Sequence, residues 1–466
     1  MENFLKKVTG TGALVAFLGL AACTENADLV QATETASQDP ETALVAQLEP
    51  QPAVTKKLRS TGISASRFGI SVKNAVQSHP TVLSQQHRIE GAQAAIDGAK
   101  SAYRPRLSVG IDAGAVSSTS GTSGPRIGPV VSLTKLIYDG SASKFTLNSR
   151  KQGLAIARLD RQIEATAIAM GAVQAQANLM RARALEHIAR ENLNDHEMLF
   201  DKIKSRVDAG AGSKADLLAG ESRLASATAQ LIESKRNRRQ AESVFTEIFG
   251  SAPGTSMSYP PVLPRHLLRN GADAARRNAQ LVQLDYAINQ ALFELASIQA
   301  GKNPSIVAEW SAGPTVGTSG ISADVSANLG IRIALTTGGE RNALAKQAQA
   351  NIDDLNAQRD QMRRQIIRAL DFSASDTAAS GERRKAADLA EDAAIAALEA
   401  ANEQFTIGKR TITQVLDAQR DLSQSAAAVV EAKTEQILVG YATLALTGDL
   451  LILFAVSLDA VAVDEG

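Results

Sequence analysis

The stretch Phe405-Thr-Ile-Gly408-Lys-Arg-Thr-Ile-Thr-Gln-Val415-Leu-Asp-Ala-Gln-Arg-Asp-Leu422 lines up without a gap on Val207-Asp-Ala-Gly210-Ala-Gly-Ser-Lys-Ala-Asp-Leu217-Leu-Ala-Gly-Glu-Ser-Arg-Leu224. Two more landmarks recur at about the same distance of 199 residues. Pro105 in Tyr-Arg-Pro-Arg-Leu-Ser-Val returns as Pro304 in Lys-Asn-Pro-Ser-Ile-Val, and Asp139-Gly140 returns as Gly338-Gly339. A repeat this long is a duplicated supersecondary unit, not a solenoid repeat of roughly 20–50 residues, so two similar halves must act together.

Each copy carries a glycine, Gly210 or Gly408, where a long helical stretch has to reverse. Glycine tolerates the left-handed conformation that ends a helix, and Ser213 and Thr411 just beyond can cap the next one. No proline occurs between Pro129 and Pro253, or after Pro314, and both stretches are rich in helix formers. From Ser141 to Val207 a continuous helix would be about 100 Å long, a length found in coiled coils. Leu217, Leu224 and Leu231 fall seven apart, and Val415, Leu422 and Val429 hold the equivalent places. That spacing keeps one seam facing its neighbours. Shorter flanking helices are expected near Val72 to Tyr103 and Ala272 to Gly301.

Ahead of each long helix the period changes to two. Leu107, Val109, Ile111, Ala113 and Ala115 alternate with Ser108, Gly110, Asp112 and Gly114, the pattern of a strand with one apolar face. Ser117 to Pro129 reads as a loop, and Val130 to Tyr138 as a second strand whose alternation is blurred by Lys135. In the second copy Ile306, Ala308, Trp310 and Ala312 share a side, and Val325, Ala327, Leu329, Ile331, Ile333 and Leu335 share another. Runs of about ten residues, roughly 33 Å extended, match a tilted strand crossing the hydrocarbon layer. Four strands cannot close a barrel, and an open edge in lipid leaves backbone groups without partners. The chain must oligomerise if these strands span a membrane. Two copies are the least that would close a barrel and three would give twelve strands, a choice that strand counting leaves open.

The 466 residues carry 49 basic and 49 acidic side chains, so there is no basic excess of the kind that holds nucleic acid. Aromatics are 4% and the composition is rich in Ala, which suits long helices packed closely through small residues. Inside the body no run of about 18 apolar residues offers a membrane-spanning helix. The N-terminus has Lys6 and Lys7, then the apolar Ala13 to Leu20, then Ala21-Ala22-Cys23, the layout of a secretory signal. Cys23 is the only cysteine and therefore forms no intrachain disulfide. Its setting resembles a bacterial lipoprotein signal, in which the cysteine becomes the lipid-modified first residue. Thr24 after it, in place of Asp, implies the outer membrane within that resemblance.

The organisation read from these signals is a signal peptide at 1–22, a flexible tether at 23–66, a first repeat at 67–253, a linker at 254–270, a second repeat at 271–450 and a tail at 451–466. The first repeat has strands at about 107–116 and 129–138 and turns at 208–213. The second has strands at about 305–313 and 323–335 and turns at 406–411. The stretch Leu450 to Val463 is expected to pack along the middle of the helical body. The fold class is mainly α with β, an internally duplicated unit of two strands and a long helical hairpin.

From about Ser66 onward the chain resembles the TolC family of outer-membrane channel-tunnels. The sharpest match is Phe405-Thr-Ile-Gly408-Lys-Arg-Thr followed by Val415-Leu-Asp-Ala, which is similar to the family's tyrosine-x-valine-glycine-threonine-arginine-threonine turn and valine-leucine-aspartate-alanine. The resemblance implies a homotrimer with a 12-stranded β-barrel joined to a long α-helical coiled-coil barrel. It implies a passive exit duct of a tripartite efflux pump or a type I secretion system. Its partners would be a periplasmic adaptor protein, an inner-membrane transporter and outer-membrane lipid. By the same resemblance, Gly210, Ala211, Gly212 and Ser213 with Gly408, Lys409, Arg410 and Thr411 are adaptor-docking turns. Asp216 and Arg410 are a charged pair closing the periplasmic gate, and Asp417 lies in an acidic ring at its constriction. Phe405 stands where the family often has a tyrosine and Gln414 where it often has a second aspartate, which implies a gate with fewer cross-links and less preference for cations. Asp112, Glu309, Asp324 and Arg332 are candidate lumen-facing strand residues.

No cofactor or catalytic site is expected. His79, His87, His187, His196 and His266 are scattered, without ligand spacing, and no phosphate loop or nucleophile elbow occurs. A lipid-anchored coiled-coil scaffold or adaptor would also use long hairpins. It would not need four runs with apolar outer faces. The channel reading predicts detergent-resistant trimers in the outer-membrane fraction; recovery as a soluble periplasmic monomer would end it.

Overall fold

The computed structural model describes Leu58 and residues 61–117, 123–268, 272–317 and 320–458, without the side chains of 115–126, 272–273 and 315–324. The signal segment, Cys23 and the tether up to residue 57 lie outside the described residues.

The elements run α1 (Arg67–Ser78), α2 (Pro80–Lys100), β1 (Arg106–Ser117), β2 (Ser123–Tyr138), α3 (Ala142–Asp208) and α4 (Lys214–Phe249). The second half runs α5 (Ala272–Ala275), α6 (Ala279–Ala300), β3 (Ser305–Gly317), β4 (Gly320–Arg332), α7 (Glu340–Thr406), α8 (Ile412–Leu446) and α9 (Leu450–Leu453). The long helices α3 and α7 have 67 residues each, about 100 Å. Among the described residues no helix is long and apolar enough to cross a membrane.

Several boundaries differ from the sequence expectation. β2 begins at Ser123, not 129, because Ser123 to Gly128 pair rung for rung with Ser117 to Asp112 despite their turn-like composition. β4 covers Gly320–Arg332, so Ile333 and Leu335 lie beyond the strand. The first flanking helix is two helices, α1 and α2, broken at His79-Pro80. Proline fixes its own φ and disfavours a helical residue before it, so His79 is extended and its Nδ1 caps Thr81 N–H at 3.3 Å. The strand-exit alignment shifts by one: the left-handed pairs are Gly140-Ser141 and Gly338-Gly339, so Gly140 matches Gly338. Asp139 Oδ2 accepts from Ser143 N–H as Thr337 Oγ1 accepts from Arg341 N–H, which fixes that correspondence.

The sheet is antiparallel throughout in the order β1-β2-β3-β4, and its central β2-β3 pairing joins the two repeats. The registers align one apolar face across all four strands: Leu107 opposite Leu133, Leu133 opposite Trp310, Trp310 opposite Ala327. Ile111 and Leu329 on that face are 75% and 69% exposed, so nothing within the chain covers it. On the other face Ser108 hydrogen-bonds Ser132 at 2.7 Å and Ser311 bonds Ser326 at 2.8 Å.

The main core lies midway along α3, about 40 Å from the strands by helix rise. There Ala165, Ala169, Ala172 and Val173 are fully buried against α1, α8 and α9. Small side chains let the helices approach, and a knot of three rings seals the gap. Phe68 meets Tyr441 and Phe454 edge-on at 6.1 and 5.6 Å, and Tyr441 Oη donates to Pro261 C=O. The end of the tether expected to be flexible, the linker and the segment from Leu450 all enter this core. Leu58 and Ile63 of the tether are buried in it, as are Leu263 and Leu267 of the linker and Leu450, Leu451, Leu453 and Phe454 near the C-terminus.

Beside this core Asp449, 1% exposed, pairs with Arg277 Nη2 at 3.1 Å and accepts from Thr447 Oγ1 at 2.9 Å. Removing one partner of a buried pair strands the other charge. Asp449→Ala is therefore expected to destabilise the fold by about 3–5 kcal/mol, read as a lower denaturation midpoint, with Asp449→Leu/Arg277→Met recovering most of the loss.

Candidate functional site: the paired helix turns

The two hairpin turns share one backbone design. Ala211 N–H bonds Arg206 C=O at 2.8 Å and Gly210 N–H bonds Val207 C=O at 3.0 Å; Lys409 to Gln404 and Gly408 to Phe405 repeat both distances. This pair of hydrogen bonds closes a helix only if the residue after its C-cap is left-handed, and Gly210 and Gly408 are so, at φ 71° and 76°. Each following helix then starts on a capping box. Ser213 N–H and Oγ–H both donate to Asp216 Oδ2, while Asp216 N–H donates to Ser213 Oγ. In the second copy Thr411 N–H donates to Gln414 Oε1 at 3.1 Å.

Asp216 and Gln414 thus hold the same structural post. Ser213 holds the Asp216 carboxyl below the usual carboxylate range, with Arg206 adding to the effect. The ionised cap stabilises α4 above that range and is lost as acid protonates it. Arg410 is half-buried, and among the described residues no ion pair joins it to Asp216 within the chain.

The contacts that do tie hairpin to hairpin involve residues that sequence reading missed. The Arg206 guanidinium lies over the Phe405 ring, 4.8 Å from its centroid, so the ring receives a cation on its face. Arg223 Nη2 reaches Asp417 Oδ1 at 3.2 Å, and Arg420 Nη1 approaches the same oxygen at 3.8 Å. Gln419 donates to Asp195 Oδ2 at 2.6 Å. Beneath these lies a small apolar cluster of Leu199, Ile203, Ala401, Ile412, Val415 and Leu416. Of the heptad seam, Val415 and Leu231 are buried and the other four half-buried. Nothing in the sequence around Arg206 and Arg223 marks them, because their partners lie on the other hairpin.

His196 lies within this layer, buried, and its Nδ1 has no hydrogen-bond partner among the described residues. Burial, then the nearby Arg223, push its pKa down, with Asp195 opposing.

On the sheet, Asp112, Glu309 and Arg332 are exposed and occupy the polar side of the alternation. Asp324 stands opposite Gly313 in the same phase, with its side chain outside the description. The four sit apart from the turns, near the other end of the molecule. Among the described residues no cluster of three metal-ligating side chains occurs.

A base whose folded pKa is depressed favours the native state while neutral and opposes it once acid begins to charge it, below about pH 6.5. Protection factors of the amides around residues 192–200, with the intrinsic slowing of exchange in acid divided out, should therefore fall as pH drops below that value. In His196→Gln that part of the pH dependence should vanish; an unchanged profile would exclude His196 as its source.

Comparison with known proteins places this geometry. The outer membrane efflux protein BepC of Brucella suis biovar 1 is 26% identical over 376 residues, covering 78% of this chain and 80% of that protein. The fold superposes on the outer membrane protein VceC of Vibrio cholerae with a TM-score of 0.72, at 16% identity, covering 82% of this chain and 96% of VceC. It superposes on the open state of the Neisseria gonorrhoeae MtrE outer membrane channel with a TM-score of 0.70, at 16% identity over 82% of this chain and 89% of MtrE. The sequence pattern of one family matches residues 71–251 and 271–445, both repeats nearly from end to end. The chain belongs to the outer membrane efflux protein family.

Proposed function

We propose that three copies of this chain form a passive duct through the outer membrane and periplasm, the exit conduit of a tripartite efflux pump or type I secretion system. The sheet carries this reading. Its apolar face is exposed on Leu107, Val109, Ile111, Val325, Leu329 and Ile331, and its opposite face is polar. Twelve residues of strand extend about 40 Å, enough to cross a hydrocarbon layer of about 30 Å at a tilt. In that setting the outward face meets lipid, and Asp112, Glu309, Asp324 and Arg332 line the water-filled lumen. Cys23, once acylated, would add a lipid anchor on the same membrane.

The helical hairpins reach down into the periplasm and present Gly210 to Ser213 and Gly408 to Thr411 to an adaptor protein, which couples the duct to an inner-membrane transporter. The gate lies at these turns. Within a subunit, Arg206 against Phe405 and Arg223 against Asp417 tie the two hairpins together; Arg410 and Asp216 link neighbouring subunits. Asp216 can serve both posts, since its cap engages Oδ2. No chemistry is asked of the protein; energy comes from the transporter.

Conductance of the purified protein in a planar bilayer tests this directly. The resting channel is expected to conduct little, and Arg410→Ser to raise conductance severalfold. Arg223→Ala should raise it as well. If Arg410→Ser leaves the conductance unchanged, the gate assignment fails while the duct stands; if no channels form at all, the duct reading fails.

A further inference from the structure

The two long helices are equal in length but not in surroundings. α3 buries side chains along its whole course, from Ser149 to Ile203, whereas α7 buries only Ile352, Ile366, Leu370, Ser373, Ser380 and Ala401. The reason is position. α6 packs between α3 and α7, one from each repeat, while its counterpart α2 packs on α3 and leaves most of its surface exposed. The strand exits show the same imbalance. Gly140 sits against Asn303 and Ala300 of the second repeat, with Asn303 Nδ2 donating to its C=O at 3.3 Å. At its match Gly338, which has the same left-handed backbone, an added Cβ would meet nothing within 4 Å. The first repeat is thus covered by the second. What would cover the second in the same way is another first repeat.

The sheet states the pairing residue by residue. The hairpins β1-β2 and β3-β4 are equivalent rungs throughout, so Leu107 corresponds to Ile306 and Leu133 to Ile331. The join between repeats runs Val131 to Ala312, Ser132 to Ser311, Leu133 to Trp310 and Thr134 to Glu309. Carrying these four rungs through the duplication gives Leu329 opposite Ala113, Gly330 opposite Asp112, Ile331 opposite Ile111 and Arg332 opposite Gly110. We infer that β4 of one copy pairs with β1 of the next in this register, and that Arg332 and Asp112 form an ion pair across that seam. The inference rests on the barrel reading above and adds the register and the charged contact.

Side-chain chemistry fits this register independently. It sets Ile331 beside Ile111 on the apolar face, and a slip of one rung would turn one strand's apolar set to the lumen. Arg332 and Asp112 are then diagonal neighbours on the polar face, about 7–8 Å apart at the backbone, within reach of an arginine. Each is faced by a glycine, Gly110 and Gly330, which leaves the space between them clear. Both charges are exposed in the single chain.

The test uses the full chain in outer membranes. Ile111→Cys/Ile331→Cys should give crosslinked oligomers with a short thiol-reactive bis-methanethiosulfonate, each cysteine displacing a sulfinate, and Val109→Cys/Ile331→Cys should give few or none; single-cysteine variants control for Cys23. A second measurement reads the charges. Asp112→Arg should lower the temperature at which the oligomer dissociates, and Asp112→Arg/Arg332→Asp should restore it. If the Val109 pair links in preference, or neither pair links while both variants remain oligomeric, the register is wrong and the barrel survives. If both proteins run as monomers in the membrane, the barrel reading falls, and this inference with it. Failure of the charge swap to restore the oligomer would remove the ion pair.

Discussion

Backbone amides and carbonyls that enter hydrocarbon must find partners in protein, because lipid offers none. That constraint organises this molecule. A four-stranded sheet satisfies its inner strands and leaves the outward groups of β1 and β4 open, so in the duct proposed above a single chain is not the finished object. The apolar face shared by Leu107, Leu133, Trp310 and Ala327 makes the point from the side-chain end. Such a surface would promote aggregation in water and is stable only where lipid or another copy meets it.

Away from the sheet the same chain solves a different problem, how to extend about 100 Å with few large side chains. Alanines at 165, 169 and 172 bring the helices close, and one belt of aromatic and branched residues fixes their relative positions. Stability is therefore concentrated at mid-length. The turns are held by a smaller apolar cluster and by a handful of polar links, among them Arg223 with Asp417 and Arg206 with Phe405. The turn end is thus held by fewer buried contacts than the mid-length core, which is the character of a less stable part of a fold.

Duplication supplies the shape, and divergence between the copies supplies the asymmetry. The backbone of the two turns is nearly the same, down to the hydrogen-bond lengths. Their side chains are not. Gly212 sits hard against Val207, where an added Cβ would lie 2.8 Å from Cγ2, while the matching Arg410 offers a charge at the corresponding place. Asp216 and Gln414 cap equivalent helices, one with a charge and one without. Two copies with identical side chains would provide only one kind of surface at the turns, and the divergent ones provide two.

The sequence by itself determined the local elements, because period, turn chemistry and helix propensity act over a few residues. The alternation from Leu107 to Ala115, the glycines at 210 and 408, and the proline-free runs could be read without any partner in view. Where local chemistry and pairing disagree, the sequence misleads: Ser123 to Gly128 has the composition of a loop and becomes strand because β1 lies alongside to pair with it. Tertiary structure alone decided contacts between distant segments. Nothing near Arg223 in the chain points to Asp417, nothing near Leu58 announces its burial, and the join of β2 to β3 follows from how two repeats lie together. Those contacts depend on the relative position of whole elements, which is set by packing across the molecule and not by neighbours in sequence.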